Sequence, residues 1–116
     1  MSITRHMKSP RMSGAVVHDG TVYLSGVVPG DDSLDAAGQT RSVLARIDER
    51  LAAAGTDKSK LLSAQVLMSD IETDFAAMNE VWEAWIDPEN PPARMTSQAR
   101  LARAAFRLEI MVVAAA

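Results

Sequence analysis

The chain contains no cysteine. That excludes disulfides, thiolate nucleophiles and cysteine-ligated zinc or iron–sulfur centres. Histidine is almost as scarce, with only His6 and His18. Neither is accompanied by carboxylates at ligand spacing, so no metal site is expected. Nor can a Ser-His-Asp arrangement be assembled from them. The six glycines are scattered, and no G-x-x-x-x-G-K or G-x-G-x-x-G loop exists to cradle phosphates. Basic charge is also short: 12 Lys and Arg against 15 Asp and Glu leave a net charge of -3. With no basic run interleaved with aromatics, the composition argues against nucleic acid as a partner. No apolar run approaches the ~20 residues of a membrane span. The opening MSITRHMKSPRM lacks the apolar stretch of a secretory signal. A cytoplasmic protein without a membrane partner is the expectation.

What is present is ordinary globular material: 116 residues, 47% hydrophobic and 23% charged. That is enough for one domain with a real core over 1–116, and too little for two. Residues 1–12 read as an irregular N-terminal segment with His6 in its frayed part. Two strands follow, Ala15 to His18 and Thr21 to Val28, flanking Asp19-Gly20. Asp-Gly between β-rich runs signals a type I′ hairpin, because both turn residues need positive φ. A helix capped by Asp32 or Ser33 carries Ala37, Leu44, Ile47, Leu51 and Ala54 on one face, with Gly55 suited to end it. A strand from Leu61 to Ser69 alternates Leu62, Ala64, Val66 and Met68 against Ser63, Gln65, Leu67 and Ser69. A second helix begins near Thr73 with a seam of Phe75, Met78, Trp82 and Trp85, and Pro88, Pro91 and Pro92 prevent its continuation. Strands from Arg94 to Arg100 and from Phe106 to Val113 close the chain as a hairpin with a longer loop.

The expected order is β-β-α-β-α-β-β, an α+β fold with two helices on one face of a mixed sheet. The other sheet face then carries apolar residues with nothing over them, which calls for a second copy of the chain.

Four constellations could carry chemistry. Pro91-Pro92-Ala93-Arg94 mounts an arginine at the start of a strand behind stiff prolines. It is either a solvated strand-end residue or a guanidinium placed to meet a planar carboxylate. Glu109 lies in an apolar strand. It is either ion-paired with Arg107, Arg100 or Arg103, or a general acid or base. Asn79 stands at the rim of the second helix's seam, capping a loop or facing a pocket. Ser25-Gly26 within a strand marks a bulge or a close backbone approach.

Taken together these stretches resemble the Rid (YjgF) family of reactive-intermediate deaminases. The resemblance rests on Leu24-Ser25-Gly26-Val27-Val28-Pro29, Gln39-Thr40, Ala54-Gly55, Asp70-Ile71, Asp74-Phe75-Ala76-Ala77-Met78-Asn79, Pro92-Ala93-Arg94 and Arg107-Leu108-Glu109-Ile110. It implies a chorismate-mutase-like fold and a homotrimer with ligand clefts between subunits. It also implies cofactor-independent hydrolysis of 2-enamine and 2-imine carboxylates to 2-oxo acids and ammonia. By the same resemblance, Arg94 would bind the substrate carboxylate and Glu109 would position the attacking water. Ser25, Gly26, Asn79 and Thr96 would contribute to the cleft. The sequence departs from the best-studied deaminases at Val16, Thr96 and Val27, which stand where those have tyrosine, cysteine and glutamine. The cleft is therefore reshaped and partly less polar. Two other functions fit the same residues, a non-catalytic binder of small carboxylates such as 2-oxo acids and an endoribonuclease. The second lacks the basic surface it would need.

Overall fold

The structure, a computed structural model, describes residues 2–116. Its strands are β1 (Ile3–Lys8), β2 (Ser13–His18), β3 (Thr21–Leu24), β4 (Leu61–Met68), β5 (Ala93–Gln98) and β6 (Leu108–Ala115). The helices are α1 (Ala36–Ala53) and α2 (Ile71–Trp85), with a short 3₁₀ turn at Lys58–Lys60. One six-stranded sheet runs in the order β1-β2-β3-β6-β4-β5. Among the described residues only the β4–β5 pair is parallel, so the sheet is mixed.

The β2–β3 hairpin turns at Asp19 and Gly20 with φ of 52° and 78°, the left-handed geometry that Asp-Gly announces. β3 stops at Leu24 and does not run on to Val28. Ser25 still donates its N–H to the Gly14 carbonyl at 3.0 Å, Gly26 makes no ladder bond, and Val27 exchanges two backbone hydrogen bonds with Ile110 at 2.8 and 3.0 Å. β1 corrects the expectation of an irregular segment at 1–12: Ile3 to Lys8 pair antiparallel with β2, and His6 is part of that strand. Backbone pairing supports β1 more than burial does, since five of its six residues are exposed. An apolar alternation was therefore never there to be read.

α1 is capped two or three residues later than Ser33 or Asp32 would place it, by Asp35, whose carboxylate accepts from the Gly38 N–H at 2.8 Å. It ends as expected, with Gly55 at a φ of 84°. α2 is capped by Asp70, whose side chain accepts from the Thr73 N–H. Its buried seam is Asp74, Met78 and Trp82, and Phe75 is exposed. Met78 and Trp82 hold the expected seam and Trp85 packs against the core, but Asp74, paired with Arg107, is buried where Phe75 was expected. Leu62 is likewise exposed, at a register shift between Leu61 and Ser63.

The closing strands do not form a hairpin with each other. β4 lies between β5 and β6, and β6 lies between β3 and β4. Burial explains the order. Leu108, Ile110, Val112 and Ala114 are all buried, which suits a central strand, whereas β5 offers no fully buried residue and takes the edge. Both helices cover one face, where Val43, Leu44, Ile47 and Leu51 meet Val66, Ile110 and Val112, joined by Met78 and Trp82. On the opposite face Tyr23, Met95 and Met111 are 47%, 49% and 39% exposed, beside the half-buried Leu67 and Val113.

Candidate functional site

Arg94 is the second residue of edge strand β5 and pairs with Ala64 of β4. Side chains at paired positions of a parallel ladder share a face. Arg94 therefore points to the helix side with the buried Ala64, and there it meets α2. Its guanidinium carbon lies 5.3 Å from the centroid of the Trp82 ring, and Nη1 donates to the Met78 thioether sulfur at 3.8 Å. Met78 and Trp82 are one helical turn apart and both buried, so the cradle is as rigid as the core. These contacts hold the guanidinium without neutralising it. Among the described residues Arg94 forms no ion pair. Thr96, two residues on, faces the same side, and its Oγ1 is buried without a hydrogen-bond partner. Asn79 follows Met78 on α2 and is half-buried.

Glu109 points the other way. It pairs with Leu67 on the helix-free face, where Gly26, Gln65, Leu67, Glu109 and Met111 line a hollow of about 200 Å³. The Glu109 carboxylate lies directly against the Gly26 backbone. A Cβ at Gly26 would approach Glu109 Cδ to 3.0 Å and overlap its carboxylate oxygen. The close approach expected of a strand glycine is thus a glutamate side chain of the same chain. Of the arginines named as ion partners for Glu109, Arg107 pairs with Asp74 and Arg103 with Asp32, each at 3.3 Å. Glu109 forms no ion pair among the described residues.

Ser25 precedes Gly26, and its Oγ accepts a hydrogen bond from Arg50 Nη1 of α1 at 3.3 Å. Arg46, one turn earlier, donates to the Val28 carbonyl at 2.7 Å, so α1 fastens both ends of the Ser25–Val28 segment.

The six sequence-predicted residues therefore fall into two groups. Arg94, Thr96 and Asn79 lie by α2 on the helix side. Gly26 and Glu109 meet on the open face, with Ser25 next to them. One chain does not bring the groups together. The larger hollows lie elsewhere: a groove between the helices bordered by Asp48, Lys58 and Trp85, and a polar recess beside Gln98, Arg100 and Arg103.

Sequence reasoning missed the support given by four residues. Trp82 and Met78 read as core, and only their contact with Arg94 gives them a second role. Asp74 is buried against Arg107; burial raises its pKa, with Arg107 opposing. Gln39, also buried, donates to the carbonyls of Asp32, Leu34 and Ala105 and accepts from the Arg107 N–H at 2.7 Å. It ties the loop before β6 to the start of α1. A buried glutamine cannot be told from an exposed one by helical spacing alone.

Known proteins resemble the chain over nearly its full length. The model of the family described as Endoribonuclease L-PSP matches residues 5–116. A RutC family protein of Haemophilus ducreyi is 41% identical over 113 residues, 97% of this chain and 96% of that one. The human protein named 2-iminobutanoate/2-iminopropanoate deaminase is 33% identical over 108 residues, 88% of this chain and 77% of that one. A solved YjgF family member from Neisseria meningitidis superposes with a TM-score of 0.95 at 43% identity, covering 99% of this chain and 95% of that one. A match of this extent, in sequence and in strand order alike, makes the chain a member of the Endoribonuclease L-PSP family, known also as the YjgF or Rid family.

Proposed function

We propose that the protein hydrolyses reactive 2-enamine and 2-imine carboxylates to 2-oxo acids and ammonia without a cofactor. The observation that carries this reading is the unneutralised Arg94, lying over the Trp82 ring and touched by the Met78 sulfur. One N–H of Nη1 is spent on the Met78 sulfur; the guanidinium's other N–H groups suffice for a bidentate carboxylate. The relatives named as iminobutanoate and iminopropanoate deaminases support the same chemistry.

The reaction asks little of the protein. An iminium carbon is already electrophilic. Water adds to it, the nitrogen departs as ammonia, and a carbonyl remains. Arg94 anchors the carboxylate, and Glu109 orients the water, takes its proton and returns it to the departing nitrogen. Thr96, Asn79, Ser25 and Gly26 shape the cleft. Arg94 and Glu109 lie on opposite sides of the sheet, so a site that uses both draws them from two copies. A homotrimer that buries the apolar open face and forms its clefts between subunits meets that need.

The test is release of 2-oxobutanoate from 2-iminobutanoate made in situ by a threonine dehydratase. Wild-type protein is expected to accelerate release, and Arg94→Ala to lower the acceleration at least a hundredfold. No acceleration over the blank removes the reading, as does a monomer by light scattering at micromolar concentration. The separation of Arg94 from Glu109 within one chain also suits a second function, a binder of 2-oxo acids, which needs Arg94 but no base. Retained binding with lost turnover in Glu109→Gln favours the enzyme. Binding without any wild-type turnover favours the binder.

A further inference from the structure

We infer that Arg50 is a positioning residue of the ligand site, fixing the Ser25 hydroxyl as a donor to an anionic group of the ligand. The inference rests on the imine-hydrolase reading above and deepens it.

Arg50 is in the last turn of α1, and its Nη1 donates to Ser25 Oγ at 3.3 Å. Once that oxygen accepts from a guanidinium, the hydroxyl hydrogen is turned away and left to donate. A ligand atom at ordinary hydrogen-bond distance from Ser25 then lies within about 6 Å of the Arg50 charge. No acid offsets that charge by ion pairing among the described residues. The arginine is partly desolvated: burial and then the neighbouring Arg46 lower its pKa, with Glu49 opposing. It remains protonated at neutral pH, as arginine does in proteins. Arg46 is already engaged with the Val28 carbonyl, so Arg50 is the member of the pair that faces the ligand segment through Ser25.

This has a consequence for how a substrate lies. An iminium nitrogen carries only donors and a positive charge, so it is repelled from a hydroxyl backed by Arg50. A carboxylate oxygen is drawn there. Ser25 and Arg50 thus receive the carboxylate end of the substrate together with Arg94 of a second copy, which leaves the iminium carbon and nitrogen toward Glu109, beside Gly26. A cation in the last turn of a helix also favours the helix dipole, so a stability effect of Arg50 alone proves nothing.

The experiment is a double-mutant cycle read by calorimetric binding of 2-oxobutanoate to the full-length protein, with turnover measured in parallel. Arg50→Met is expected to weaken binding about tenfold, in keeping with a lost charge-assisted hydrogen bond. Ser25→Ala is expected to weaken it by a similar factor, and the double variant to be no worse than twofold beyond the weaker single. Arg50→Lys keeps the charge and the dipole contact and is expected to recover part of the affinity. It also serves if Arg50→Met folds poorly. Binding by Arg50→Met within twofold of wild type, or single effects that multiply, overturns the inference while leaving the imine-hydrolase reading intact, provided Arg94→Ala still abolishes binding. Wild-type protein that neither binds 2-oxobutanoate nor hydrolyses the imine overturns both.

Discussion

Replacing Gly26 with alanine should silence the protein while leaving it folded. An added methyl at Gly26 would stand 3.0 Å from Glu109 Cδ and 3.3 Å from Cγ, and would overlap the carboxylate oxygen. The glutamate must rotate away. Forcing a side chain some 30° off its rotamer costs about 0.5–1.5 kcal/mol. Gly26 is not among the residues with positive φ, so alanine fits its backbone. The lost glycine freedom of the unfolded chain returns about 0.4–1 kcal/mol. The two effects nearly cancel, so stability should change by less than about 1 kcal/mol, a shift of only a few degrees in Tm for a chain of this size. Activity should not survive so well. A general base moved off its water forfeits about 10²–10⁴ in rate. Calorimetric melting and 2-oxobutanoate release would be measured together. Gly30→Ala is the control, since a Cβ there meets nothing closer than Ser42 Oγ at 3.6 Å. Adding Glu109→Gln to Gly26→Ala should cost nothing more. Turnover of Gly26→Ala at the wild-type rate would refute the argument that the glycine exists to seat Glu109.

Two further substitutions probe the supports around the site. Trp82→Phe keeps an aromatic face under Arg94 and should hold 2-oxobutanoate binding within about threefold, whereas Trp82→Leu should lose about 0.5–2 kcal/mol of cation–π contact and weaken it further; equal binding by the two, measured well below their melting temperatures, would remove Trp82 from the Arg94 mount. Asp74 has its pKa raised from 3.8, by burial first, so the folded chain holds that proton more tightly than the unfolded chain does. Its ionisation therefore opposes folding at neutral pH, and the penalty lifts as pH falls through the folded pKa. Asp74→Asn should melt at or above the wild-type temperature at pH 7, with the gap closing in acid; a Tm several degrees lower would mean that the Arg107 pair outweighs the burial.

Much of the fold was legible because local chemistry and packing agreed. Asp19-Gly20, Gly55 and the prolines after Trp85 act through backbone geometry that no tertiary contact needs to override. Three features were not legible, each for a physical reason. β1 is held by hydrogen bonds that leave no side-chain pattern. The first seam position of α2 went, in place of Phe75, to a buried aspartate whose partner Arg107 lies thirty-odd residues away. The β5–β6 separation follows from which strand buries every alternate residue, and a short loop between two strands does not report that. For the site, Arg94 and Glu109 could be singled out by type and setting. That they face opposite sides of the sheet could not be read from either strand alone: the β4–β5 pairing fixes the side of Arg94 and the β4–β6 pairing that of Glu109.

The central place of β6 has a consequence for how the chain is made. β3 and β4 both lean on it, and neither pairs with the other. While the chain is being synthesised, the β1–β2–β3 ribbon and the β4–α2–β5 unit must wait with open edges until residues 108–115 emerge from the ribosome. Unpaired strand edges are templates for wrong partners. The sheet closes by late insertion of its middle strand, across long sequence separations that slow folding. A strand that completes two half-sheets at once makes folding close to all-or-none, and the same strand carries Glu109 into place only when everything around it is already complete.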